Sequence, residues 1–107
     1  MNLSDFEQMV DPVIVGRGKD YLNKGRITTV KEVKKNHYVI NVTGTASYKV
    51  TVVLHDDLII NSSCNCPYDQ GDICKHQTAA FYGIREKRAG ILTSASEVQL
   101  ESMISGF

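Results

Sequence analysis

The chain has 107 residues, 42% of them hydrophobic, and its twelve Lys and Arg are balanced by twelve Asp and Glu. That is room for one domain, small enough that a bound metal is a useful supplement to its core. No apolar run approaches a membrane span, the acidic residues 1–7 lack the apolar stretch of a signal peptide, and zero net charge argues against a simple polyelectrolyte binder.

Helix signals come first. Ser4-Asp5-Phe6-Glu7 has the form of a capping box, and Asp11-Pro12 that of an N-cap with proline at the first helical position. They predict one or two helices running to about Lys24, with Gly25 as the stop. Ile14, Tyr21 and Leu22 supply an inward face; Arg17, Lys19 and Lys24 supply a basic outer one. Gly16 and Gly18 cost roughly 1 kcal/mol each relative to alanine, so either they permit close packing or the helix breaks there.

From Arg26 the hydrophobic period changes to two. Residues 27–35, 37–43, 46–54 and 58–63 read as four strands, with turns at Lys35-Asn36, Gly44 and His55-Asp56-Asp57. Short loops join antiparallel neighbours, so a four-stranded meander is the economical connection. His37 and His55 fall at strand or turn positions without a paired ligand and read as surface residues, and Asp56-Asp57 reads as a turn.

The last strand runs into Cys64-Asn65-Cys66-Pro67-Tyr68-Asp69-Gln70-Gly71-Asp72-Ile73-Cys74-Lys75-His76, which holds all three cysteines and one of the three histidines. Three thiolates and an imidazole are the donor set of a closed, tetrahedral, structural zinc site. Residues two apart on an extended chain share a face, so Cys64 and Cys66 can converge on one ion. Pro67, Asp69, Gly71 and Asp72 are reversal residues. Two helical steps rotate about 200°, so Cys74 belongs to the loop and His76 to the first turn of a following helix. One zinc per chain, held by Cys64, Cys66, Cys74 and His76, is the expectation. All four positions are filled by protein, which favours a structural ion over a catalytic one. A redox or nucleophilic cysteine needs an activating base and a substrate pocket, neither of which the sequence suggests; no enzyme activity and no small-molecule substrate are expected. Tyr68 either packs over the site or faces solvent for stacking, with packing favoured. Lys75 either offsets the site's formal charge of about −1 or contacts phosphate.

After His76, Ala80, Phe81 and Ile84 form a stripe that can dock on the sheet, Lys87 and Arg88 suit the last turn, and Gly90 ends the helix. Ser94 to Glu97 is a further capping box opening a short amphipathic tail through Leu100 and Ile104. The fold class is α+β: an N-terminal helix, a four-stranded antiparallel sheet, a zinc-bearing turn and a C-terminal helix. Its segments are 1–25, 26–90 and a tail at 91–107. An odd number of cysteines without a disulfide framework fits a reducing, cytoplasmic setting.

Charge is unevenly spread. Residues 16–35 carry seven bases against two acids, and residues 74–90 carry Lys75, Arg85, Lys87 and Arg88 against Glu86. Side by side, the two segments would make a phosphate-binding patch; apart, they are ordinary surface charge.

Cys-x-Cys-Pro-Tyr followed by Cys-Lys-His at the head of a helix resembles the SWIM-type zinc finger. Upstream, Arg17-Gly18, Tyr21, Gly25, Val42-x-Gly44 and Tyr48-x-Val50 look like what often precedes the finger in bacterial members, so the resemblance covers roughly residues 11–85. Such fingers occur in bacterial helicase-like ATPases of the Swi/Snf group, Mutator-type transposases, a kinase of the mitogen-activated cascade and recombination factors. The resemblance implies an accessory domain at the N-terminus of a helicase-like ATPase that binds nucleic acid, DNA foremost. Candidate contacts are Arg17, Lys19, Lys31, Lys34, Lys35, Lys75, Arg85, Lys87 and Arg88. The alternative is a module that docks a protein partner or a neighbouring domain, with zinc purely structural. No Walker motif occurs, so this stretch does not hydrolyse nucleotide that way.

Overall fold

A computed structural model describes residues 1–66 and 73–90. The fold is α+β, in the expected order. A short 3-10 turn at Phe6–Gln8 precedes α1 (Pro12–Asn23); then come β1 (Ile27–Lys34), β2 (His37–Thr43), β3 (Ser47–His55), β4 (Leu58–Cys64) and α2 (Lys75–Arg88). The strands form one antiparallel sheet in the order β1-β2-β3-β4. The expected turn at 67–72 and the tail beyond Gly90 lie outside the described residues.

Alternation along the strands decides which side of the sheet is buried. Tyr38, Ile40 and Val42 on β2 and Val50, Val52 and Leu54 on β3 are all buried, while their neighbours Asn41, Lys49 and Thr51 are exposed. The buried side receives α2, and α1 packs on the far side of α2, so the layers run α1, α2, sheet. The middle layer explains why α2 is buried continuously from His76 to Ile84 rather than along one stripe. Ala79, Ala80, Phe81 and Ile84 are fully buried there, with Leu3, Phe6, Val10 and Ile14 closing the core from the N-terminal side.

Close packing of the two helices turns on Gly18. The helix runs unbroken through it, and a Cβ there would stand 2.7 Å from Thr78 Cβ and 2.9 Å from the Ala79 nitrogen. Only a residue without a side chain lets α1 approach. As expected, Asp11 caps α1 through Val13 N (2.9 Å), and Gly25 follows its end at φ 71°.

The capping box at Ser4-Asp5-Phe6-Glu7 does not form. Ser4 Oγ donates instead to Asp57 Oδ2 (2.6 Å), and Glu7 turns to α2, accepting from Tyr82 Oη (2.7 Å) and from Arg85 Nη1 (2.9 Å) and Nη2 (3.2 Å). A charged, tertiary partner outbids a local cap. Backbone bonds from Leu3 N to Asp57 O and from Ile59 N to Met1 O fasten the first residues along β4. No described helix is long and apolar enough to cross a membrane.

Candidate metal centre

β4 delivers the first two thiols. Cys64 pairs with Val50 in an inward-facing row, and Asn65 prolongs the ladder by accepting from Lys49 N through Oδ1 (2.9 Å) and donating its own N–H to Lys49 O (3.3 Å). Pinned there, the chain remains extended enough for Cys64 and Cys66 to face the same way.

α2 delivers the other two donors. Cys74 is its N-cap, with extended backbone (φ −94°, ψ 172°). Its Sγ accepts from Gln77 N (3.4 Å), and Gln77 Oε1 accepts from Cys74 N (2.9 Å), a reciprocal capping box with sulfur in the place of a hydroxyl. Gln77 Nε2 donates in turn to Ser62 Oγ (3.4 Å), tying the cap to β4, and Thr78 Oγ1 donates to Cys74 O (3.2 Å). Sequence reading missed Gln77. Its signal was the Cys-x-x-Gln spacing, which is a capping box once cysteine is admitted as the cap.

His76 sits in the first helical turn. Its Nδ1 is 3.8 Å from both Cys64 Sγ and Cys74 Sγ, and all four donor atoms lie within 4.8 Å of one another. Zinc–sulfur bonds of about 2.3 Å and zinc–nitrogen bonds of about 2.0 Å define a tetrahedron with edges of about 3.5–3.8 Å. The donors therefore converge on the right scale, and Nδ1 is the imidazole nitrogen that faces the sulfurs. Nε2 then carries the proton; it is buried and has no hydrogen-bond partner among the described residues. Tyr48 stacks on the ring (centroids 4.2 Å apart, planes at 29°) and Tyr21 meets it edge-on at 5.5 Å, so orientation comes from aromatic packing.

Electrostatics also ask for a cation. Burial pushes the Cys64 thiol up to about 12 and Cys74 upward too, the second partly offset by the Gln77 N–H. Burial, and then the Lys75 charge, push His76 down, which keeps the imidazole neutral and able to ligate. Cys64 and Cys74, whose anionic forms the protein penalises, are stabilised as thiolates by a divalent ion. The residues fit structural zinc: Cys64, Cys66, Cys74 and His76 would hold it, and it would crosslink the end of β4 to the head of α2. With such an ion the formal charge is about −1. Lys75 Nζ and Arg26 Cζ lie 5.4 and 5.6 Å from the centre of the Tyr21 ring beside the site, where their charges offset it. Tyr68, expected to cover or flank the metal, lies outside the described residues.

The SWIM zinc finger family model matches residues 48–82. That stretch is a SWIM zinc finger. No curated protein and no solved structure matches the chain. The match begins at Tyr48, the residue stacked on His76, and ends at Tyr82, within the buried run of α2. Outside it, the upstream residues of the resemblance wrap the same helix: Gly18 meets Thr78, and Tyr21 lies between His76 and the turn at Gly44.

The nine candidate nucleic-acid contacts do not form one patch. Arg85 is engaged by Glu7 and Leu3 O. Arg88 ties α2 to two of the three hairpin turns, donating to Tyr38 Oη (3.3 Å), Asp56 O (2.9 Å) and Asn36 Oδ1 (3.3 Å). These two arginines are structural. Lys87 is half-buried in the last turn of α2, Lys75 leans over Tyr21, and Lys19 contributes to the field that lowers Glu7. Arg17 is exposed on α1, whereas Lys31, Lys34 and Lys35 are exposed on β1 and its turn, on the other side of the layered stack.

Proposed function

We propose that this chain is a zinc-stabilised, non-catalytic module that binds nucleic acid, DNA foremost, as an accessory to a larger machine such as a helicase-like ATPase. The carrying observation is how the fold uses its charges. Five of the eight described carboxylates turn inward or to the chain's own backbone and hydroxyls: Glu7 to Arg85 and Tyr82, Asp5 to Asn2 N, Asp11 to Val13 N, Glu32 to Asn36 N, Asp57 to Ser4; Asp20 pairs with Lys24 at the surface, and Asp56 is exposed. Among the described residues no carboxylate lies within 4.0 Å of Arg17, Lys31, Lys34, Lys35, Lys49 or Lys75. A net charge of zero thus conceals cations left available to phosphate.

Binding through phosphate weakens steeply with salt and shows little sequence preference. Titrating the zinc-loaded chain with single- and double-stranded DNA over a salt series tests this. Salt-sensitive, sequence-tolerant binding supports it, and no binding at low salt refutes it. The protein-docking alternative has its own support in Val33, Leu58 and Ile60, which are 44–58% exposed. It predicts association with a partner that salt leaves unchanged.

A further inference from the structure

We infer that the outer face of the sheet is the surface that meets the phosphate backbone of double-stranded DNA; this rests on the nucleic-acid reading and adds the face and the form of the ligand. The two helices occupy the inner side, and no described element covers the outer one. Strand register places its cations. Lys31 stands opposite Val39, Lys34 opposite His37, and Lys49 opposite Asn41. Sequence reading did not count Lys49 among the contacts, because it lies in a segment whose other charges are acidic; the register sets it in the same face as Lys31.

Two features separate this face from an ordinary solvated one. Among the described residues it carries no carboxylate, although the chain has as many acids as bases: the only acid within the strands, Glu32, stands opposite Tyr38 in an inward row and accepts from Asn36 N. It also carries no Phe, Tyr or Trp; its only rings among the described residues are the imidazoles of His37 and His55. Tyr38 is buried on the inner side and Tyr48 is stacked on His76. Proteins that hold single strands without sequence preference rely on aromatic platforms for the bases. Its lysines, with Thr51, Ser63 and Asn41 around the half-buried Val39 and Val53, offer charge and hydrogen bonds but no large aromatic platform, which suits a duplex whose bases stay paired. Lys31 and Lys49 are two strands and one pleat apart, about 12 Å by ideal sheet spacing. A duplex carries one negative charge per about 1.7 Å of axis, so no special register is needed to engage both.

The test uses the zinc-loaded full chain and a short mixed-sequence DNA duplex, with the matching single strand and an RNA duplex of the same sequence as comparisons. Three phosphate contacts give a salt slope of about −2.7 in log K against log salt, and each lost lysine flattens it by about one. The triple variant K31E/K34E/K49E is expected to lose at least tenfold in duplex affinity at low salt and most of the slope. The helix-side variant R17E/K19E is expected to lose less duplex affinity than the triple variant. Should the triple variant fold poorly, lysine acetylation of the wild type reports the same surface: duplex DNA is expected to protect Lys31 and Lys49. A larger loss in R17E/K19E, or unprotected Lys31 and Lys49 in a bound complex, overturns the face while the nucleic-acid reading stands. Tighter binding of the single strand or the RNA duplex overturns the choice of duplex DNA. No binding by the wild type to any of the three overturns both.

Discussion

Gly16 and Gly18 lie two residues apart on α1, and alanine is expected to act on them with opposite signs. At Gly16 a Cβ meets nothing within 4 Å, so Gly16→Ala collects the helix-propensity gain alone, about 0.5–1 kcal/mol of added stability. At Gly18 the same gain is set against a Cβ 2.7 Å from two Thr78 side-chain carbons and 2.9 Å from the Ala79 backbone nitrogen. None of these is the free end of a flexible side chain, so α1 has to move off α2. Overpacking of this kind costs typically 1–3 kcal/mol, leaving a net loss of up to about 2 kcal/mol. The propensity gain is common to both, so the two variants should melt about 4–24 °C apart, at about 4–8 °C per kcal/mol for a domain of this size. Urea unfolding in excess zinc, followed by circular dichroism, measures the difference directly. Equal stabilisation by both substitutions would refute the packing of α1 on the zinc-bearing helix.

Other expectations follow from the site and its supports. Gln77→Ala removes the reciprocal cap and leaves the Cys74 N–H buried without its acceptor, a loss of about 2 kcal/mol read by urea unfolding; unchanged stability contradicts the role given to Gln77. Tyr48→Ala removes the ring stacked on His76 and should weaken zinc binding by about 1 kcal/mol, roughly fivefold, in a chelator competition. Hydrogen bonds from Arg85, and then Tyr82, hold the Glu7 carboxyl below its ordinary value of 4.5. A depressed folded-state value means stability that is present above the unfolded value and is lost as pH falls through the folded one. Since Glu7 is a third exposed, solvent screening keeps the effect small. Glu7→Gln should therefore be less stable than the wild type at neutral pH, with the gap closing below about pH 4.5. A gap independent of pH would assign the loss to packing instead.

What could be read from the sequence was whatever is local. The strands showed because one side of the sheet is buried and the other is not, so Tyr38, Ile40 and Val42 alternate with polar neighbours. Cys74 as the residue before the helix and His76 in its first turn followed from helical rotation alone, and the structure agrees. The double-sided burial of α2 did not show. The stripe of Ala80, Phe81 and Ile84 marks one face, and the second face includes the small or polar residues Thr78 and Ala79, whose use depends on a helix some sixty residues earlier in the chain. The roles of Arg85 and Arg88 were illegible for the same reason. Their partners Glu7, Asn36 and Asp56 lie 78, 52 and 32 positions away, and a cation in the last turn of a helix looks like surface until its long-range acceptor is placed. Ser4 and Glu7 teach the converse, since a well-formed local motif was dissolved by two tertiary partners.

The central claim is that zinc joins β4 to α2 and so holds the middle layer of the fold. Structural zinc contributes about 10–16 kcal/mol in finger peptides, as much as the whole stability of a small domain. The direct test is elemental analysis of the purified chain followed by chelator titration with circular dichroism as the readout. One zinc per chain, with loss of helical signal and of the cooperative melt as zinc is withdrawn, and the same loss in Cys74→Ala and His76→Ala, is the predicted result. A chain that holds no zinc, or one that melts unchanged after its zinc has been stripped, would contradict it.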